Sequence, residues 1–178
     1  MDMSNYLVIS AIGTDRAGIV SELSQLIFNA GGNIEDSRMS ILGGEFAIIM
    51  MVSGAWNNIA KLEDSLPLAQ EKLGLIITTR RTESRKLSRE ELPYSVEVIA
   101  LDHPGIVQQI AGFFSKRDIN IHDMYTTCHR AAHTGSPMFT LSMTIELPAG
   151  THISSLREQF MEFCDQLNVD AIMEPIKA

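Results

Sequence analysis

The chain repeats itself, and that repeat constrains its fold more than any other feature. LVISAIGTDRAGIV, from Leu7, and YSVEVIALDHPGIV, from Tyr94, lie 87 residues apart. Carried from Leu7 to Met39 against Tyr94 to Thr126, 8 of 33 positions are identical: Ile12/Ile99, Asp15/Asp102, Gly18/Gly105, Ile19/Ile106, Val20/Val107, Asn33/Asn120, Ile34/Ile121 and Asp36/Asp123. They cluster. Asp-x-x-Gly-Ile-Val and Asn-Ile-x-Asp both recur intact and at the same separation. One structural unit of about 80 residues is therefore used twice, and each copy is long enough for a modest core of its own.

Each half has the same order of elements. β-branched residues dominate Tyr6–Ile12 and Tyr94–Leu101, which predicts a strand. A helix follows, with Ile19, Val20, Leu23, Leu26, Ile27 and Ala30 on one face in the first half. Ile106, Val107, Ile110, Phe113 and Phe114 do the same in the second. Gly31-Gly32 supplies a positive-φ residue to end the first helix. Two strands then pair, about Ile34–Leu42 with Glu45–Ser53 across a Gly43-Gly44 turn, and about Ile121–Arg130 with Pro137–Leu147 across the longer AAHTGS. The second helix of each half lies near Asn57–Leu73, where Pro67 is expected to break or kink it, and over the stripe Ile153, Leu156, Phe160, Phe163, Leu167. Strands at about Leu75–Arg80 and Val169–Pro175 close the halves. The expected fold is α+β: two tandem ferredoxin-like βαββαβ units, each an antiparallel sheet with its helices on one face. The domains are 1–80 and 93–178, joined by a charged linker at 81–92. The bare sheet faces and edges call for covering by the other domain or by a homo-oligomer.

Composition narrows the class. The apolar fraction is 45% and the charged fraction 20%, as in a folded globular protein. The longest apolar runs, such as Phe46–Val52, are far short of a membrane span, and no secretory signal is visible, so the expected compartment is the cytoplasm. Two cysteines, Cys128 and Cys164, make no disulfide framework and are expected as free, buried or half-buried thiols. The net charge of −8 argues against a protein that grips a phosphate backbone. Arg80, Arg81, Arg85, Lys86 and Arg89 cluster, which is expected of a solvated linker.

A βαββαβ unit with Asp-x-Pro-Gly-Ile-Val at its first strand–helix turn resembles the ACT domain. The second half carries the motif as Asp102-His103-Pro104-Gly105-Ile106-Val107, the first as Asp15-Arg16-Ala17-Gly18-Ile19-Val20. Ala17 replaces the proline, so that turn is less preset. Asn33-Ile34 and Asn120-Ile121, opening the second strands, also resemble the family. The resemblance covers nearly the whole chain and implies small-molecule binding, mostly of amino acids, between units. Two such units with no catalytic domain attached resemble the bacterial repressor family of the glycine cleavage operon. That implies glycine as a small amino-acid effector, no other cofactor, and action by contact with a LysR-type transcriptional activator rather than on DNA.

The motif residues suit that chemistry. Backbone N–H groups at a helix start, with the helix dipole, favour an anion such as a ligand carboxylate. Gly18 and Gly105 would let a ligand approach the backbone, or they serve only the turn. Asp15 and Asp102 could pair with an ammonium group, but their main expected role is to cap the helices. Asn33 and Asn120 either contact ligand through an amide that both donates and accepts or organise the helix–strand turn. His103 stands where Arg16 does and is a further candidate ligand contact. The candidate set is thus Asp15, Arg16, Ala17, Gly18, Ile19, Asn33, Ile34, Asp102, His103, Pro104, Gly105, Ile106, Asn120 and Ile121.

Other features carry less. His129 and His133 have the spacing of metal ligands on a helix, but the region reads as strand and loop, so no metal is expected. Met39, Met50, Met51, Met124, Met138 and Met143 fall in strands and are expected to fill cores, and Trp56 to anchor the second helix. No hydrolase, P-loop, zinc-protease or dinucleotide motif is found, and Cys128 and His129, adjacent on a strand, point to opposite faces. The expectation is a regulator and not an enzyme. The alternative is a detached amino-acid-binding regulatory subunit of a metabolic enzyme.

Overall fold

The computed structural model describes residues 5–83 and 91–176. The chain divides into two units, Met1–Lys86 and Leu87–Ala178. The first runs β1 (Asn5–Thr14), α1 (Ile19–Ala30), β2 (Asn33–Leu42), β3 (Glu45–Gly54), α2 (Trp56–Leu73) and β4 (Ile76–Thr82). The second runs β5 (Leu92–Leu101), α3 (Ile106–Ser115), β6 (Asn120–Arg130), β7 (Pro137–Leu147), α4 (Ile153–Gln166) and β8 (Asp170–Pro175). The sheets are ordered β2-β3-β1-β4 and β6-β7-β5-β8, with every neighbouring pair antiparallel. Each unit is the expected βαββαβ.

Strand alternation places the cores. In β1, Leu7, Ile9 and Ala11 are buried beneath Leu23 and Ile27 of α1 and Ile59 and Leu62 of α2, with Phe46, Ile48, Met50 and Val52 beside them on β3. The second core is built the same way on Val96, Val98, Leu141, Met143 and Ile145. Its helices bring aromatic rings: Phe113 lies 5.1 Å from both Phe160 and Phe163, centre to centre, and 5.2 Å from Phe114. Each fully buried side chain of this size contributes about 1.5–3 kcal/mol.

Among the described residues, the four helices stop by one device. The residue after the last turn lies in the left-handed region, at Gly31, Gly74, Asp118 and Asn168. The next amide then reaches back five residues: Gly32 N to Ile27 O, Leu75 N to Gln70 O, Ile119 N to Phe114 O and Val169 N to Cys164 O, at 3.0–3.1 Å. Leu75, Ile119 and Val169 are themselves buried, which completes the apolar contact of such a cap. The Gly43-Gly44 turn has both φ values positive, at 62° and 95°, as a two-residue hairpin requires.

Several expectations need correction. α2 runs unbroken from Trp56 to Leu73 through Pro67. Leu62, Leu66 and Ala69 are buried on either side, and their burial outweighs the hydrogen bond that Pro67 cannot donate to the Glu63 carbonyl. Trp56 is the first residue of that helix but is exposed, with the Arg81 guanidinium 5.9 Å from its ring centre. Val20 is exposed, at the edge of its helical stripe. Met50 and Met143 fill cores, but Met39 and Met124 are exposed, because β2 and β6 are edge strands beyond the helices. Arg81 and Thr82 continue β4 and Leu92 opens β5. Arg85, Lys86 and Arg89 of the basic cluster lie outside the described residues, and Arg81 is bound to Glu63 at 2.6 Å. Among the described residues, no helix is long and apolar enough to cross a membrane.

Candidate functional site

The two Asp-x-x-Gly turns are built alike. The Asp15 amide donates to the Gly44 carbonyl (3.0 Å) and the Asp102 amide to the Pro137 carbonyl (2.9 Å), so each turn is tied to the hairpin beside it. Gly18 and Gly105 are the residues from which the helices start, at φ 94° and 98°. A side chain there would be strained, so the turn itself requires glycine. The expectation that Asp15 and Asp102 cap the helices is not met. The cap position falls on the glycines, three residues later, and neither helix receives a side-chain cap. The first-turn amides are left without a capping side chain, which is the arrangement that suits an incoming anion.

What stands over those amides differs between the units. Arg16 folds across its own turn and binds Glu22 through two hydrogen bonds, 2.6 and 3.2 Å. That hydrogen bond holds Glu22 below the usual carboxylate range and raises Arg16. A Glu22 carboxylate oxygen lies 3.4 Å from the place a Gly18 Cβ would take. In the second unit the equivalent position is Gln109, whose amide nitrogen lies 3.4 Å from the same point at Gly105. His103, in place of Arg16, sits 3.1 Å from the Pro104 carbonyl through Nδ1. One helix start therefore already faces a carboxylate of its own, and the other faces an amide.

Cys128 joins the second site from β6. It is exposed rather than buried, and its thiol is pushed up by local desolvation and by the adjacent Asp102 carboxylate. Spacing along the sequence gave no sign of this contact. It depends on the register of β6 on β7, which pairs Cys128 with Phe139 at the hairpin end. Cys164 is fully buried, with its thiol raised to about 11, chiefly by burial.

The asparagines lie elsewhere. Asn33 pairs with Ser53, and Ser53 with Tyr6, at the start of β1, whereas Asp15 follows its end. Eight residues of β3 separate the two ends, about 26 Å. Within one unit Asp15–Ile19 and Asn33–Ile34 are not brought together, nor are Asp102–Ile106 and Asn120–Ile121. Each asparagine is engaged locally by a carboxylate. Asn33 donates to Glu35 Oε1 at 3.1 Å, and Ser53 donates to the same oxygen. Both bonds lower Glu35. Asn120 donates to Glu146 Oε2 at 3.1 Å, with His122 Nδ1 3.4 Å from the other oxygen. Register makes Glu35 equivalent to His122 and Ser53 to Glu146, so the acid has changed strand while its bond to asparagine is kept.

His129 lies on β6 and His133 in the turn after it, not on one helix. Among the described residues no three His, Cys, Asp or Glu side chains converge as a metal site would need.

A repeated βαββαβ unit with a glycine-started helix after its first strand defines a class. Residues 5–80 and 94–160 each match the ACT domain, and the chain belongs to the ACT-domain family. Over 170 residues it is 34% identical to the glycine cleavage system transcriptional repressor of Escherichia coli, covering 94% of this chain and 88% of that protein. A crystal structure assigned as a glycine cleavage system transcriptional repressor superposes with TM-score 0.75 at 30% identity, over 99% of both chains. A protein from Galdieria sulphuraria superposes with TM-score 0.78 at 29% identity, over 98% of this chain and 99% of that one. A UPF0237 protein of Methanopyrus kandleri is 39% identical over 70 residues, 38% of this chain and 78% of its own.

Proposed function

We propose that this chain is an amino-acid-responsive negative regulator of glycine cleavage operon transcription, acting by contact with a LysR-type activator in the cytoplasm. The observation that carries the reading is the 34% identity to the E. coli repressor, which extends over nearly all of both chains. The net charge of −8 favours a protein partner over the DNA backbone.

The effector is a small zwitterion, glycine, and the second unit is its better seat. Its carboxylate would take the uncapped amides at the start of α3, beside Gln109 and Gly105, and its ammonium group would pair with Asp102. In the first unit the Glu22 carboxylate, paired with Arg16, already stands beside the equivalent turn and would compete with a ligand carboxylate. Asn33 or Asn120 would reach such a ligand only from another ACT unit. An antiparallel pairing of two β2-type edges brings the asparagine end of one to the turn end of the other.

The test is titration calorimetry of the full chain with glycine, alanine and serine, followed by capture of the purified activator with and without glycine. Selective glycine binding that changes activator capture is expected. Absence of binding to any amino acid, by the chain or by its complex with the activator, would remove the effector role. Sequence-specific DNA binding by the chain alone would overturn the protein-contact mechanism.

A further inference from the structure

The sheet face turned away from the helices carries more apolar side chains in the first unit than in the second. Register places three rows of side chains across the first: Asp36, Met51, Val8, Arg80; then Arg38, Ile49, Ser10, Thr78; then Ser40, Ala47, Ile12, Ile76. Ile12, Ile49 and Ile76 are 45%, 50% and 66% exposed. The matching positions of the second unit put Ser95 for Val8, Ser142 for Ile49, Thr144 for Met51, Thr140 for Ala47 and Asp170 for Ile76, while Ile99 stands for Ile12, Ile172 for Thr78 and Tyr125 for Arg38. The same fold thus tolerates a polar surface here, and nothing in the unit's own packing requires an apolar one. Six apolar side chains on the first unit's face (Val8, Ile12, Ala47, Ile49, Met51 and Ile76), against Ile99, Ile172 and Tyr125 on the second's, make it the better candidate for a covered surface.

We infer that this face is covered by the same face of a second copy of the chain, related by a two-fold axis parallel to the strands. Such an axis lays β2 of one copy over β4 of the other and keeps each row level. Asp36 then faces Arg80 of the second copy, and the reverse contact is made as well, as an isologous interface demands. Met51 faces Val8, and Ala47 faces Ile12. Asp36 keeps its own-strand partner Arg38, so the incoming guanidinium completes a three-member cluster. A two-fold axis across the strands would instead stack Arg38 on Arg38. The aligned arrangement is also the usual one for stacked sheets. The face measures about 20 Å by 20 Å, so the two copies together would bury roughly 800 Å², the size of a weak, transient contact, and a reversible dimer is expected.

The experiment is sedimentation velocity on the full chain from about 1 to 200 µM, the range that brackets a micromolar dissociation constant. Wild type is expected to pass from monomer to dimer. Ile49→Glu is expected to weaken the dimer at least about tenfold, and Ser142→Glu, at the matching position of the second unit, to leave it unchanged. Arg80→Asp is expected to weaken it, and the double variant Asp36→Arg/Arg80→Asp to associate more tightly than Arg80→Asp alone. A wild-type monomer throughout the range overturns the inference. So does a folded Ile49→Glu chain that dimerises as wild type does, the result expected of pairing through the β2 edge. If Ile49→Glu does not fold, the exposed charge variants decide, and failure of the double reversal to restore association overturns the pairing. Glycine binding measured on the same variants separates this result from the effector reading, which does not need this face.

Discussion

Arg16 holds the Glu22 carboxylate over the start of α1 through hydrogen bonds of 2.6 and 3.2 Å, whereas Gln109 presents an amide at the equivalent point of α3. The first repeat thus sets an ion-paired carboxylate beside its helix start, and the second a neutral amide donor. If glycine binds at the second turn, Gln109→Glu should weaken it by about tenfold or more, because a like charge is placed beside the ligand carboxylate. Glu22→Gln should leave that affinity unchanged and release Arg16 as a free cation over the first turn. Calorimetric stoichiometry checks this: one site in the wild type, none at working concentrations in Gln109→Glu. A wild type with two equal sites would refute the asymmetry.

The turns also separate the roles of aspartate and glycine. Because the helices start at Gly18 and Gly105 with φ near 95°, Gly105→Ala should cost about 1–2 kcal/mol, the cost of forcing a side chain into the left-handed region. Asp102→Ala keeps the amide bond to Pro137 and removes no cap, so its effect on stability should stay within about 0.5 kcal/mol. Urea denaturation of both variants measures the contrast. A loss near 1 kcal/mol for Asp102→Ala is what a true N-cap would give.

Much of this was legible in the sequence because the repeat reports on itself. The order of elements, the Gly31 cap and the Gly43-Gly44 turn follow from residues whose backbone preferences leave few choices. Pro67 misled because a local penalty of about 3 kcal/mol is judged without the buried Leu62, Leu66 and Ala69 that outweigh it. The asparagines stand apart from the turns of their own unit for a topological reason. Asn33 comes after the helix and Asp15 before it, so a chain that crosses the sheet once between them must leave them at opposite ends. Cys128 could not be found at all, since its contact with Asp102 depends on how β6 registers on β7, across a hairpin of uncommon length.

Pro67 gives a further test. It is exposed, in the middle of α2, and its neighbours already fix the helix. Pro67→Ala should restore a donor to the Glu63 carbonyl and remove the ring's clash with it, raising stability by about 1–3 kcal/mol. The change should appear in the thermal or urea transition of the first unit and leave that of the second alone. Destabilisation instead would mean that the proline is matched to a bend on which the Leu66–Leu73 contacts depend.

Cys164 sets an upper edge to the pH range of the second unit. Its thiol is fully buried against Phe160 and its neighbours in the second core, and burial, with a smaller contribution from Asp165, raises it from 9.0 to about 11. A group whose folded value is raised contributes its stability below the unfolded value and loses it as pH climbs through the folded one. Between pH 9 and 11 the unfolded chain releases this proton while the folded chain keeps it, so unfolding becomes progressively easier. The full loss for such a shift is about 2–3 kcal/mol, reached near pH 11. Cys164→Ala should be less stable at neutral pH, because it leaves a cavity, but its stability should fall less steeply over that window. Urea midpoints of the two proteins at pH 7, 9, 10 and 11 read the difference in slope directly, and parallel curves would show that Cys164 is not the group responsible.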